Sequence, residues 1–347
     1  MRRPVRLPIV LLALTVATAV ATTHAQAPVP GLERLRLQIE RTMAPARGDV
    51  GVSIKHLETG QEVVARADEP YPMASTVKLP ILVELYAQER AGKLKLDDMH
   101  QLTPADQHVG SGDISVLFDL PGVSMSLSNL ANMMMMISDN SATDILLARV
   151  GGAAPVNTRM RALGLDGIRV DRTIQELVLD FGGHDTERMK TMLLPELRPL
   201  MRRPPLDEAA RLARHDQNAS DLRDQATPRD MTRLLEMLWR GSVVDPEASK
   251  AMLELMKRCR TGAARIKGLL PPDTVVAHKT GSLGGTVDDL GIIYLPDGAG
   301  HVAISVLSKR TLADSGDVER VIAELARYAY DYFLFTAPAS PSPSGPQ

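Results

Sequence analysis

Cysteine occurs once in the 347 residues, at Cys259, so no intrachain disulfide can staple the fold. Aromatics are scarce, with four Phe, six Tyr and one Trp, which leaves little for stacking nucleic-acid bases. Charge of one sign is missing too. Forty basic residues face 42 acidic ones, for a formal net charge of −2, and no case for nucleic acid or an anionic membrane follows. The eight histidines are scattered and none makes His-x-x-x-His, so neither a metal nor a cofactor is expected. Cys259 sits between Arg258 and Arg260, after a helical pattern over Glu247 to Lys257, and reads as a packing residue.

The chain does have an ordinary globular composition, 44% hydrophobic and 24% charged, at a length suited to two interleaved lobes. Its start is a targeting pattern. Arg2, Arg3 and Arg6 precede an apolar run from Leu7 to Val20, too short for the roughly 20 residues of a membrane span. Small-x-Ala sites end at Ala25 and Ala27. A signal peptide over 1–25 or 1–27 is expected, hence a periplasmic or secreted protein, with no membrane contact after cleavage.

Helical spacing runs from Gly31 to Met43, and a hairpin over Asp49 to Arg66 turns at Glu58-Thr59-Gly60-Gln61. Helices are expected over Thr76 to Gln88, Ser126 to Ile137, Ala142 to Val150, Ala154 to Leu163 and Arg229 to Trp239. Phe181 to Gln225 reads as a long polar loop with one short helix, Leu206 to Arg214. Strands return at Thr274 to Ala277, Asp289 to Leu295 and Val302 to Leu307, before a last helix over Asp317 to Phe333. Two early strands are too few for a sheet and should pair with the late ones. The fold class is therefore α+β: a five-stranded antiparallel sheet flanked by terminal helices, with an inserted all-helical lobe. The expected division is a sheet domain from 28–70 and 240–336, a helical lobe at 71–239, and a disordered tail at 337–347. Lobes meeting in this way leave a cleft, where sites commonly lie.

Three short motifs fall along that frame. Ser75-Thr76-Val77-Lys78 opens a helix, and residues three apart share a helix face. A desolvated lysine can take the serine proton, and the helix start offers N–H groups to a developing oxyanion. Ser138-Asp139-Asn140 ends an apolar helix: Ser138 can relay a proton to a leaving nitrogen, and Asn140 can hold an amide. Lys279-Thr280-Gly281-Ser282 lies on a late strand, where a lysine and a hydroxyl can bind a carboxylate and the glycine lets a substrate backbone approach.

The three together form the set of serine β-lactamases and penicillin-binding proteins. At these residues the chain resembles the class A β-lactamases, over about Leu32 to Phe333. Met136 to Thr143, Ala277 to Ser282 and Thr261-Gly262-Ala263-Ala264 share that family's wording. The resemblance implies a β-lactamase/DD-peptidase-like fold and a monomer acting on a β-lactam or peptidoglycan-like small molecule. It implies that Ser75 attacks the lactam carbonyl, with Lys78 as base or part of a relay. The N–H groups of Ser75 and Ser282 would form the oxyanion hole, and Ser138 would protonate the departing nitrogen. Asn140, Lys279, Thr280 and Ser282 would hold the substrate. Arg265 would reach the Lys-Thr-Gly strand, as an arginine does in some members.

One stretch departs from the family. Its omega loop reads Arg-x-Glu-x-Glu-Leu-Asn, and its first Glu activates the water that releases the acyl group. Here the stretch is Arg172-Thr173-Ile174-Gln175-Glu176-Leu177-Val178, so Ile174 replaces the glutamate and Val178 the asparagine. An isoleucine takes no proton. Either Glu176, or an acid such as Asp180, Asp185 or Glu187, serves instead, or acylation outpaces release. The second case gives a D-alanyl-D-alanine peptidase or esterase that traps β-lactams, or a covalent sensor of β-lactams or muropeptides. His278, beside Lys279, is expected to pack in its strand.

Overall fold

The sheet owes its order to alternation. In the computed structural model, described over residues 30–118 and 122–337, β1 (Asp49–His56) and β2 (Glu62–Ala65) form the expected hairpin. The late strands are β3 (Val276–Leu283), β4 (Thr286–Tyr294) and β5 (His301–Lys309). They pair antiparallel in the order β2-β1-β5-β4-β3, so the early hairpin joins the sheet through β5. On β5, Val302, Ile304 and Val306 face one core, while Ala303 and Leu307 face the other, the two-residue period of a sheet covered on both sides.

The first core is closed by the terminal helices, α1 (Pro30–Thr42) and α9 (Ser315–Thr336), through Leu35 and Ile39 and through Val318, Ile322, Leu325 and Phe333. The second is shared with the helical lobe. Its helices are α2 (Lys78–Arg90), α3 (Leu127–Met136), α4 (Asn140–Arg149) and α5 (Ile174–Gly182). The helix at Ala153–Ala162 packs there too through Val156 and Met160, as do α7 (Pro228–Trp239) and α8 (Pro246–Lys257). Helix α7 lies between sheet and lobe: Thr232 Oγ1 contacts Ser53 O at 3.2 Å and Ser305 Oγ at 3.0 Å.

One expectation is corrected. The segment after Phe181 is not a long loop. It folds as helices at Thr186–Met189 and Leu194–Leu200, then α6 (Glu208–Ser220), which runs six residues past the short helix read at Leu206 to Arg214. Asp185 and Asp207 cap two of these, accepting from Arg188 N and Ala210 N, so polar residues start helices here rather than loops. The stretch around Ile174 is helical as well. Thr173 caps α5, with Glu176 completing a capping box. The leader and the tail past 337 lie outside the described residues. Among the described residues, no helix is long and apolar enough to cross a membrane.

Candidate active site

Ser75 lies in a single 3₁₀ turn, Ala74–Val77, that leads into α2. Ala74 has φ +44°, a left-handed conformation rare for a residue with a side chain, and it sets the corner from which the serine projects. Strand β3 presses on this corner. A Cβ on Gly281 would come within 2.7 Å of Met73 O and 3.2 Å of the Ala74 Cβ. The glycine of the Lys-Thr-Gly motif thus makes room for the protein's own backbone rather than for a substrate's.

Ser138 also has positive φ, +61°, in the turn between α3 and α4. Asp139 fixes that turn. It caps α4 through Ala142 N at 2.9 Å and accepts Asp113 N and Ile114 N at 2.7 and 2.9 Å. The result is a hydroxyl shared by two lysine side chains: Lys78 Nζ and Lys279 Nζ each reach Ser138 Oγ at 3.0 Å. Lys78 donates further to Ser138 O at 2.6 Å and Asn140 Oδ1 at 2.9 Å, and Lys279 to Thr280 O at 2.8 Å. The Ser75 hydroxyl is not among the partners of Lys78.

Both lysines are fully buried, and two cations sharing one hydroxyl are costly. Burial, then the charge of Lys279, pushes the Lys78 pKa well below the ordinary lysine range. Burial lowers Lys279 to about 8, with Arg265 adding to the shift and Cys259 and Asp289 opposing it.

Ser75, Ser111, Ser138, Asn140, Thr280 and Ser282 line one cavity of about 290 Å³, and Arg265 completes its rim. Arg265 is nearly buried. It donates to Gly281 O and Asp288 O at 2.8 and 2.7 Å and to Ser282 Oγ at 2.6 Å, and Glu319 accepts from its Nε at 3.0 Å. It therefore does reach the Lys-Thr-Gly strand.

An apolar part of the wall is Ile174, Leu177 and Val178. Among the described residues, no carboxylate lines this cavity. Glu176 points elsewhere: its Oε2 turns back to accept Thr173 N and Thr173 Oγ1, both at 3.0 Å, in the capping box of α5. A side chain that closes its own helix start cannot also face the cavity, so the structure does not bring Glu176 to Ser75. The other acids are engaged too. Asp180 accepts from Arg172 at 2.6 Å and Arg223 at 3.1 Å, Asp185 caps its helix, and Glu187 pairs with Lys190. Asp144 holds the start of α5 from below, accepting Ile174 N at 2.6 Å, Gln175 N at 3.0 Å and His108 Nδ1 at 2.5 Å.

Two members of the hydrogen-bonded set were not singled out in the sequence. Ser111 Oγ reaches Ser138 O at 2.9 Å, and Thr261 Oγ1 meets Thr280 Oγ1 at 2.6 Å. Ser111 lies in a Gly-Ser-Gly stretch that gives no periodic signal. Thr261 stood in the family-like wording before Arg265, without a role of its own. Among the described residues, no three His, Cys, Asp or Glu side chains converge as a metal would require.

Comparison with known proteins identifies the family. The model of the "Beta-lactamase enzyme family" matches residues 34–333. The carbapenem-hydrolyzing β-lactamase KPC of Klebsiella oxytoca is 27% identical, over 82% of this chain and 84% of its own. A β-lactamase of Mycobacterium tuberculosis is 28% identical, over 80% and 78%. A crystal structure of a β-lactamase from Chitinophaga pinensis superposes with a TM-score of 0.70 at 28% identity, covering 86% of this chain and 98% of that one. With a five-stranded antiparallel sheet, a helical lobe and this match over most of its length, the chain belongs to the β-lactamase enzyme family, hydrolases of the β-lactam amide bond.

Proposed function

We propose that the protein opens β-lactam rings by acyl transfer to Ser75 and releases the acyl group slowly. The observation that carries this reading is the lining of the cavity: the hydroxyls of Ser75 and Ser138, the latter held by two buried lysines, with Ile174, Leu177 and Val178 where the family's base would stand. A neutral Lys78 takes the Ser75 proton, directly or through Ser138. The N–H groups of Ser75 and Ser282 receive the oxyanion. Ser138, between the two lysines, returns a proton to the lactam nitrogen. Lys279, Thr280, Ser282 and Arg265 hold the substrate carboxylate, and Asn140 the amide.

Deacylation needs a base for the incoming water, and lacking one costs about 10²–10⁴-fold. The same apolar wall favours a second reading, a D-alanyl-D-alanine peptidase or esterase that β-lactams trap. The basic and apolar pattern of residues 1–27 supports export, to the periplasm or the medium. Nitrocefin tests the main reading. A burst of one equivalent of colour followed by slow turnover is expected, and steady rapid turnover with no burst contradicts it.

The pH dependence follows from the two lysines. Acylation needs Lys78 neutral, so its rate should rise with pH on the acid side, at a pH well below the ordinary lysine range because burial and Lys279 lower that pKa. Carboxylate binding needs Lys279 protonated. Its pKa lies at about 8, so the attraction is present below that pH and lost as pH rises through it. The second-order acylation constant should therefore fall on the alkaline limb near pH 8. A constant that keeps rising past pH 9 contradicts the role given to Lys279 (about one unit beyond that pKa).

A further inference from the structure

The chain's single thiol lies one contact away from the cavity. Cys259 Sγ is 3.3 Å from Thr261 Oγ1, the hydroxyl that meets Thr280 Oγ1 in the Ser75 cavity. Cys259 is nearly buried, 5% exposed, yet it lines a second cavity of about 370 Å³. Two cationic residues, Arg260 and Lys267, share that lining.

On β3, His278 supplies the second observation. Its ring is fully buried. Nδ1 is held by the two Asp289 carboxylate oxygens at 3.0 and 3.1 Å, and Nε2 has no hydrogen-bond partner. A Cβ on Gly291 would come within 2.7 Å of the His278 Cβ, so a glycine across the ladder leaves room for this imidazole. The Cys259 thiol also acts on this ring and favours its charged form. Burial opposes charge on both groups, and their neighbours outweigh it. Asp289 raises His278 to about 10, while His278, Lys279 and Thr261 bring Cys259 down to about 7. A thiol that merely filled the core would have its pKa raised instead.

We infer that Cys259 is a modification site, which takes a small anionic disulfide from the second cavity and so uncouples Thr261 from Thr280. The Cys259 thiolate attacks one sulfur of the disulfide. A bond forms between Sγ and that sulfur, the original S–S bond breaks, and the other half leaves as a thiolate with the electron pair. Cys259 is oxidised as the reagent is reduced, and the thiol proton goes to solvent. Arg260 and Lys267 favour a negatively charged reagent. The adduct displaces the Thr261 hydroxyl and with it the brace on Thr280.

Dithiobis-nitrobenzoate, an anionic disulfide, serves as the probe, with cystamine as the cationic control. With one cysteine in the chain, each adduct reports on Cys259. The native protein is expected to react at no less than about a tenth of the rate of the guanidinium-unfolded chain, and His278→Gln is expected to slow that at least about tenfold. Anionic reagent should outpace cationic by about tenfold or more. Native labelling below a tenth of the unfolded rate overturns the site, even where the His278 variant fails to fold. Equal rates for the two reagents overturn its anion preference. Coupling to the cleft rests on the proposed role of Thr280 and has its own readout: labelled protein should acylate Ser75 about tenfold more slowly, with recovery in dithiothreitol. Labelled protein that acylates at the unlabelled rate overturns the coupling and leaves the thiol site standing. Failure of unlabelled protein to acylate sinks the proposed function, not the thiol chemistry.

Discussion

Ile174→Glu is expected to raise steady-state nitrocefin turnover about 10²-fold or more, with the acylation burst nearly unchanged. Ile174 is the first residue of α5 and lines the Ser75 cavity at 3% exposure. A carboxylate placed there gains the positive end of the helix, which favours its ionised, proton-accepting form. Val178, one turn on, lines the same wall and offers no amide to the water, so the gain should fall toward the low end of what a base supplies. Glu176→Gln is the matched control. It weakens a capping box and leaves turnover alone, because Glu176 is committed to Thr173. Turnover unmoved by Ile174→Glu, or lost in Glu176→Gln, contradicts the assignment of the wall.

Lys78→Met should slow acylation about 10²–10⁴-fold, the range for loss of a general base. Methionine keeps the length and the apolar stem and removes only the amine. The three hydrogen bonds of Lys78 end on Ser138 and Asn140, so the variant also frees Ser138 from one of its two lysines. Ser75→Ala sets the floor, with no covalent adduct at all. Stopped-flow measurement of the nitrocefin burst separates these outcomes from a structural role. A lysine that only filled space would shift the melting temperature and leave the burst rate intact.

Much of this was legible in the chain. The early hairpin with its turn at Gly60, the strands near the end and the helix over Arg229 to Trp239 are local signals, and the sheet followed from counting strands. Ser75, Ser138 and Lys279 could be placed because three motifs fell in the right contexts. The region after Phe181 gives a weak signal because two of its helices are short and the third, α6, is mostly polar, and Asp185 and Asp207 set two of the starts rather than an apolar period. The partners of Lys78 were not legible either. Helix spacing put Lys78 beside Ser75, whereas the ammonium is drawn to Ser138 and Asn140, 60 and 62 positions on. Nor could spacing show where Glu176 turns, since only the capping geometry decides that. Cys259 read as filler because its histidine neighbour is 19 positions away, on a strand.

The central claim is that acylation at Ser75 outlives the chemistry that should end it. Time-resolved intact mass after mixing with benzylpenicillin addresses it most directly. The account predicts a gain of one whole β-lactam, mapped to Ser75, that persists for minutes after free drug is removed. Unmodified protein within seconds, together with consumed drug, would contradict it and would require a base that the wall of Ile174, Leu177 and Val178 does not contain.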